Sequence, residues 1–107
     1  MSARALLPIA CLAWILWDYT GVVRENGEAS SWWTVVDAFS DEARCRDAQR
    51  TKVLSYHREA AIIKAATKDP ALVVTATEEG LVWTNTAGKA SRLSRVMCLP
   101  DTVDPRK

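Results

Sequence analysis

The sequence predicts an α+β domain in which one long helix packs on one face of an antiparallel sheet of about five strands. Two observations lead to this prediction. Residues 41–68 contain no proline or glycine and repeat apolar residues at helical spacing. Short runs rich in aromatic and β-branched residues occur twice before that stretch and three times after it. The element order is therefore ββαβββ, and a chain of 107 residues has the size of one domain, which we place at residues 14–107.

The beginning of the chain has the features of a secretion signal. Arg4 precedes a run of thirteen uncharged residues that ends at Trp17, and small residues lie just before Trp14, where cleavage would occur. We therefore interpret residues 1–13 as a truncated signal segment. The uncharged run is too short for a membrane-spanning helix, which needs about 20 residues, so we expect no stable membrane span. Two alternatives stay open: a lipid anchor on Cys11, or a core strand retained in a cytoplasmic protein.

The first two strands are predicted at WILWDYT, residues 14–20, and at WWTVVDAF, residues 32–39. The polar segment between them contains ENG, which is typical of a tight reversal of the chain. We therefore expect the two strands to pair as an antiparallel hairpin.

Four of the five tryptophans lie in this hairpin. Burial in the core is the favoured interpretation for such large rings, but tryptophan is also frequent in binding surfaces. If the protein binds a partner, the candidate surface is an exposed patch on the sheet face away from the helix. Its members are Trp14, Trp17, Trp32 and Trp33.

The helix is predicted to begin after Ser40, whose hydroxyl can accept from free amides of the first turn, with Asp41 and Glu42 favourably placed at the positive end of the helix dipole. It is expected to end at Asp69, because the residue before Pro70 resists the helical conformation. Six residues fall on one helical face and are predicted to pack on the sheet: Cys45, Ala48, Val53, Tyr56, Ala60 and Ile63.

Three further strands are predicted at ALVVTAT, residues 71–77, LVWTN, residues 81–85, and SRLSRVMCL, residues 91–99. The segments EEG and TAGK between them are typical turns. We expect these strands to form a meander.

Two of the three cysteines are candidates for a crosslink. Cys45 lies in the second turn of the predicted helix, on its apolar face, and Cys98 lies near the end of the last predicted strand. In an oxidising compartment the two thiols can form a disulfide that joins helix to sheet. In a cytosolic protein the expectation is instead a pair of buried, reduced thiols. Cys11 would be removed with the signal, so export leaves an even number of cysteines.

Three segments resemble a recurring class of small, uncharacterised bacterial exported proteins: WILWDYT, FSDEARC at the start of the helix, and CLPDTVDPR after the last strand. The C-terminal segment, Cys98 to Arg106, is the specific part of this resemblance. The resemblance implies export, and with it a periplasmic or extracellular location, and it implies a bridge between Cys45 and Cys98. It implies no activity, ligand or catalytic residue.

The C-terminal segment also predicts a compact turn. Pro100 and Pro105 fix their own backbone angles, and aspartate side chains can bond to nearby amides. We expect this turn to dock beside the disulfide and to shield the edge of the last strand. A cation site made by Asp101, Thr102 and Asp104 is less favoured, because calcium loops supply more carboxylates and a glycine.

The sequence contains no CxxC pair, no paired histidines and no glycine-rich phosphate loop, so we expect no catalytic residue, metal or cofactor. His57 is expected to be solvated on the polar flank of the helix. The 14 basic and 13 acidic residues balance, so nucleic-acid binding is not expected. We predict a non-catalytic binding or structural protein of the bacterial periplasm or cell surface, with a protein partner on the exposed sheet face. The alternatives are a small enzyme with a pocket around His57 or Tyr56, an accessory subunit with an unrecognised site, and a cytosolic interaction protein.

Overall fold

The structure, a computed structural model, describes residues 13–107, which contain five strands and one helix. In chain order these are β1 (Trp14–Val23), β2 (Ala29–Phe39), α1 (Glu42–Ala66), β3 (Leu72–Ala76), β4 (Gly80–Asn85) and β5 (Ala90–Pro100). The predicted α+β class and the order ββαβββ are confirmed. Apart from Ala13, the predicted signal segment lies outside the described residues, and so does Cys11.

All five strands form one antiparallel sheet in the order β2-β1-β5-β4-β3. The last strand of the chain is therefore the middle strand of the sheet, with β1 on one side and β4 on the other. The two free edges belong to β2 and β3. The expectation that the C-terminal turn shields the edge of the last strand is therefore wrong, because both edges of that strand are already paired.

The first two strands form the predicted hairpin, and its turn contains Gly27. The amide of Gly27 donates to Arg24 O over 2.9 Å. Gly27 has a φ of 87°, a left-handed conformation that glycine adopts without steric cost. Farther along the hairpin, Leu16 pairs with Asp37 and Trp17 with Val35. The unpaired residue between those two in β2 forms a β-bulge, which locally bends and twists the edge strand.

The last three strands form the predicted meander, which is tightly packed at Gly80. A Cβ atom added there would lie 1.9 Å from the carbonyl oxygen of Ser94 in β5. Only a residue without a side chain allows β4 to approach β5 so closely at this position.

The helix begins one residue later than the sequence predicts. Asp41, and not Ser40, is the N-cap residue, and its carboxylate accepts from the amide of Arg44 over 2.9 Å. The helix ends at Ala66, before the predicted stop at Asp69. Within residues 13–107 no helix has both the length and the apolar character needed to cross a bilayer.

The disulfide between Cys45 and Cys98 ties the second turn of α1 to the central strand, with the two Cα atoms 6.0 Å apart. Both cysteines belong to a first buried cluster that also contains Leu16 and Val96. Ala60, Val74 and Leu81 form a second buried cluster farther along the helix. The helical face that packs on these clusters is the predicted one: Cys45, Ala48, Val53, Tyr56, Ala60 and Ile63.

The helix covers the sheet unevenly. Strands β1, β5, β4 and β3 all contribute residues to the two clusters, whereas β2 contributes only Phe39, at its end. Most residues of β2 are exposed, including Trp32 and Val36 on the helix side. The β2 side of the sheet is therefore open on the face that carries the helix.

Candidate functional site

The structure places the four predicted surface tryptophans on both faces of the sheet. Trp14 packs on the first buried cluster, beneath the helix, and Trp32 lies on the same face of β2, where it is 47% exposed. Trp17 and Trp33 lie on the opposite face, and their rings meet edge to face at 6.3 Å. The expected single patch on the face away from the helix is therefore not formed, since only two of the four side chains lie there.

Three aromatic rings contact one another on the face away from the helix, and two guanidinium groups lie over them. The Tyr19 ring lies 4.8 Å from Trp33, and the Arg95 guanidinium carbon lies 5.3 Å from the Tyr19 ring and 6.0 Å from the Trp33 ring. Such cation-π contacts are each worth about 0.5–2 kcal/mol, depending on solvation. Among the described residues, no helix or second sheet covers this face. The contacting side chains form a row that we call the aromatic-arginine ladder: Trp17, Tyr19, Trp33, Arg95 and Arg106.

The C-terminal segment closes one end of this ladder. The amide of Asp101 donates to Ala13 O over 2.9 Å, which extends the pairing between β1 and β5. Beyond that bond, Arg106 lies over the Trp17 ring at 5.1 Å and donates to Asp104. The segment forms the predicted turn, but it covers the face opposite the disulfide because Trp17 points away from the helix. The indole Nε1 of Trp17 is buried beneath it with no hydrogen-bond partner.

A buried polar contact separates the two apolar clusters under the helix. Tyr56 packs against both clusters, and its hydroxyl donates to Asp18 Oδ2 over 2.5 Å. Ser94, on the neighbouring strand, is almost fully buried and also interacts with the Tyr56 hydroxyl. Burial first, and then the Asp18 carboxylate, raise the pKa of Tyr56 above its ordinary value. Tyr56 therefore stays protonated and acts as a hydrogen-bond donor.

His57 is not solvated as the sequence analysis expects. Its Nε2 lies 2.6 Å from Thr77 O, in the turn between β3 and β4, and the ring is partly buried. The imidazole therefore holds the helix against the turn, on the opposite flank from Asp18.

An open groove of about 560 Å³ runs between α1 and β2. Its floor includes Leu16, its strand side includes Val36, Asp37 and Phe39, and its helix side carries small and polar side chains. The helical residues are Ala48, Thr51, Lys52 and Ser55. The groove exists because α1 lies over β1, β5, β4 and β3 and leaves most of the helix-side face of β2 uncovered. We call the groove and the neighbouring edge of β2 the open side.

Within residues 13–107 no group of three or more histidine, cysteine or acidic residues is placed to hold a metal ion. Of the two side chains around which an enzyme pocket is predicted, Tyr56 is bonded to a carboxylate, that of Asp18, inside the helix-sheet interface. A protonated tyrosine bonded to a carboxylate at that position locks the helix in register on the sheet.

No family model, curated protein or solved structure matches the chain.

Proposed function

We propose that the protein is a non-catalytic binding or structural protein that acts outside the reducing cytoplasm, in the bacterial periplasm or at the cell surface. The observation that carries the proposal is the uneven cover of the sheet. A disulfide fixes the helix over one side, and the edge strand and groove on the other side stay accessible.

The disulfide supports the compartment. Both sulfur atoms are buried in the first cluster, where Cys45 is fully inaccessible and Cys98 nearly so. Disulfides in such structural positions persist in oxidising compartments and are rare in the cytosol. The bridge closes a segment whose ends are 53 residues apart, so it also supplies a large stabilising term to a small domain.

The open side supports a binding role. An edge strand exposes main-chain donors and acceptors that can pair with another extended chain, and adjacent pockets can accept its side chains. The groove beside β2 combines the apolar Leu16, Val36 and Phe39 with the charged Asp37 and Lys52. This combination suits a polypeptide partner better than a small apolar ligand.

The catalytic alternative receives less support. Tyr56 and Asp18 are bonded to each other, and Tyr56 packs against both core clusters. His57 is bonded to a main-chain carbonyl in a different part of the interface. A general acid or base needs access to the substrate. Tyr56, Asp18 and His57 do not line the groove between α1 and β2.

The proposal is tested by fractionating native cells and measuring the intact mass of the chain before and after thiol alkylation. We expect the periplasmic or surface fraction to contain a chain that has lost its N-terminal segment and takes up no alkylating reagent until it is reduced. The variant Cys45→Ala/Cys98→Ala supplies the thiol-free reference mass. A full-length chain in the cytosolic fraction with alkylated Cys45 and Cys98 would contradict the proposal.

A further inference from the structure

We propose that the protein forms a symmetric dimer in which β2 pairs antiparallel with β2 of a second copy. The two sheets would become one continuous sheet. This inference rests on the proposed function, because it assigns a second copy of the chain as the partner of the same open side.

The main-chain groups needed for this pairing are free on β2. At the hairpin end, the amide of Arg24 donates to Glu28 O over 2.8 Å, so these two residues form a hydrogen-bonded pair. Bonded and non-bonded pairs alternate along an antiparallel ladder. Counting from Arg24 and Glu28, the residues whose main-chain N–H and C=O groups point away from β1 are Ser31, Trp33 and Val35.

The central part of this edge lacks two features that normally prevent self-pairing. Monomeric proteins protect edge strands with charged residues, proline, β-bulges or short strand length. The segment from Ser31 to Val35 contains neither charge nor proline, and the bulge that follows it ends the regular edge before Asp37. Trp32 and Val35 are about half exposed there, at 47% and 51%. The pairing segment is therefore uncharged and lies within a strand of eleven residues.

The opposite edge of the sheet is better protected. Strand β3 has only five residues, Pro70 lies two residues before it, and Glu78 lies two residues after it. Because the pairing of β2 with β2 is two-fold symmetric and uses the same edge in both copies, it would stop at two copies and would not continue into a fibre.

One register gives every exposed side chain a compatible neighbour. With the two-fold axis at Trp33, Ser31 lies opposite Val35 of the second copy and Trp32 lies opposite Thr34. The pairing supplies about six main-chain hydrogen bonds and brings no like charges together. Trp32 of each copy lies diagonally across from its counterpart on the helix-side face, within reach of an aromatic contact. The axis is normal to the sheet, so both helices lie on the same face.

The register makes a charge-swap experiment possible at two exposed positions. In Ser31→Lys/Val35→Lys, each new lysine faces a lysine of the second copy, so the dimer should dissociate. In Ser31→Lys/Val35→Glu, each lysine faces a glutamate, so the dimer should return. Within one copy the two positions are too far apart along the strand to pair with each other.

Sedimentation velocity of the oxidised chain measures the result between about 1 and 300 micromolar. We expect the wild type to shift from monomer to dimer across this range, the Lys/Lys variant to stay monomeric, and the Lys/Glu variant to match the wild type within about threefold in dissociation constant. Val73→Lys, at an exposed position of β3, is the control and should dimerise normally. Circular dichroism and the urea midpoint confirm that all variants are folded.

A wild type that stays monomeric throughout the range would overturn the inference, and so would a dimer that responds to Val73→Lys or not to the Lys/Lys variant. None of these results would change the outcome of the fractionation experiment. Failure of the dimer and failure of the proposed compartment are therefore separate results.

Discussion

The two ends of the sheet contain similar residues in opposite environments. At the covered end, Val74 and Leu81 are 4% and 2% exposed beneath α1, whereas at the open end Val36 of β2, beside the groove, is 43% exposed. Both ends consist of β-branched and apolar side chains, so composition does not separate them. The position of the helix separates them, and the disulfide fixes that position. Stability is thus concentrated at one end, and the other end is left available for contacts.

The largest effect is expected from removal of the disulfide. For a sequence separation of 53 residues, the chain-entropy model predicts a loss of about 4 kcal/mol in the free energy of unfolding. Urea denaturation of the oxidised wild type and of Cys45→Ala/Cys98→Ala measures this difference. Reductant should lower the stability of the wild type and leave that of the variant unchanged. A loss below about 1 kcal/mol would mean that the disulfide does not fix the helix.

The next largest effect is the difference in the free energy of unfolding between a substitution at the covered end and one at the open end. Leu81→Ala removes a fully buried side chain and should cost about 3 kcal/mol, because a cavity is left in the second cluster. Val36→Ala, beside the groove at the open end, should change the free energy of unfolding of the monomer by less than about 0.5 kcal/mol. Both values come from urea denaturation at a protein concentration low enough to keep the chain monomeric. Similar losses at the two positions would show that the ends do not differ in packing.

A smaller effect is expected from Tyr56→Phe, which removes the hydrogen bond to Asp18 in the interface. The loss should be about 1 kcal/mol near neutral pH. Because the pKa of Tyr56 is raised in the folded state, the wild type should lose stability as the pH rises above about 10, where tyrosine in the unfolded chain ionises first. The phenylalanine variant should lack this part of the decline.

The pH test compares the stability of the wild type with that of Tyr56→Phe, because other groups ionise in the same pH range in both proteins. The urea midpoints of both proteins are measured from pH 8 to about 11. If the gap between the wild type and Tyr56→Phe stays constant across that range, Tyr56 is not held in its protonated form.

The smallest effect is expected at the C-terminal turn. Bonds from Arg106 lower the pKa of Asp104 from its ordinary 3.8 to about 2. The stabilisation from this pair should be complete above the ordinary value and disappear as the pH falls through about 2. Arg106→Ala should uncover Trp17 and shift tryptophan emission to longer wavelength, with little change in the urea midpoint. Asp104→Asn is the matched variant, and it should produce a weaker shift in the same direction.

The fold could be predicted from local patterns, but the strand order could not. The hairpin, helix and meander each follow from short segments, and the helical spacing correctly placed Cys45 on the packed face. The position of β5 between β1 and β4 depends on contacts between distant parts of the chain, which no local pattern specifies. For this reason the C-terminal turn was expected at an edge that does not exist.

The tryptophan surface was predicted less well, although the sequence contained the signal. Successive residues of a strand point to opposite faces, so Trp32 and Trp33 cannot lie on one face of a regular strand. The same alternation separates Trp14 from Trp17. The open groove could not be inferred in this way, because it depends on where α1 lies across the sheet. His57 was misplaced because its partner, Thr77 O, belongs to a turn distant in sequence.

The central position of β5 has a consequence for the order of events during folding. In the final structure Trp14, the first residue of β1, pairs with Pro100, the last residue of β5. The central strand is therefore missing from the sheet until β5 has been synthesised. Pairing between segments so distant in sequence forms slowly. Before β5 is available, the hairpin and the helix have no central strand to dock on, and Cys45 has no native partner for its disulfide.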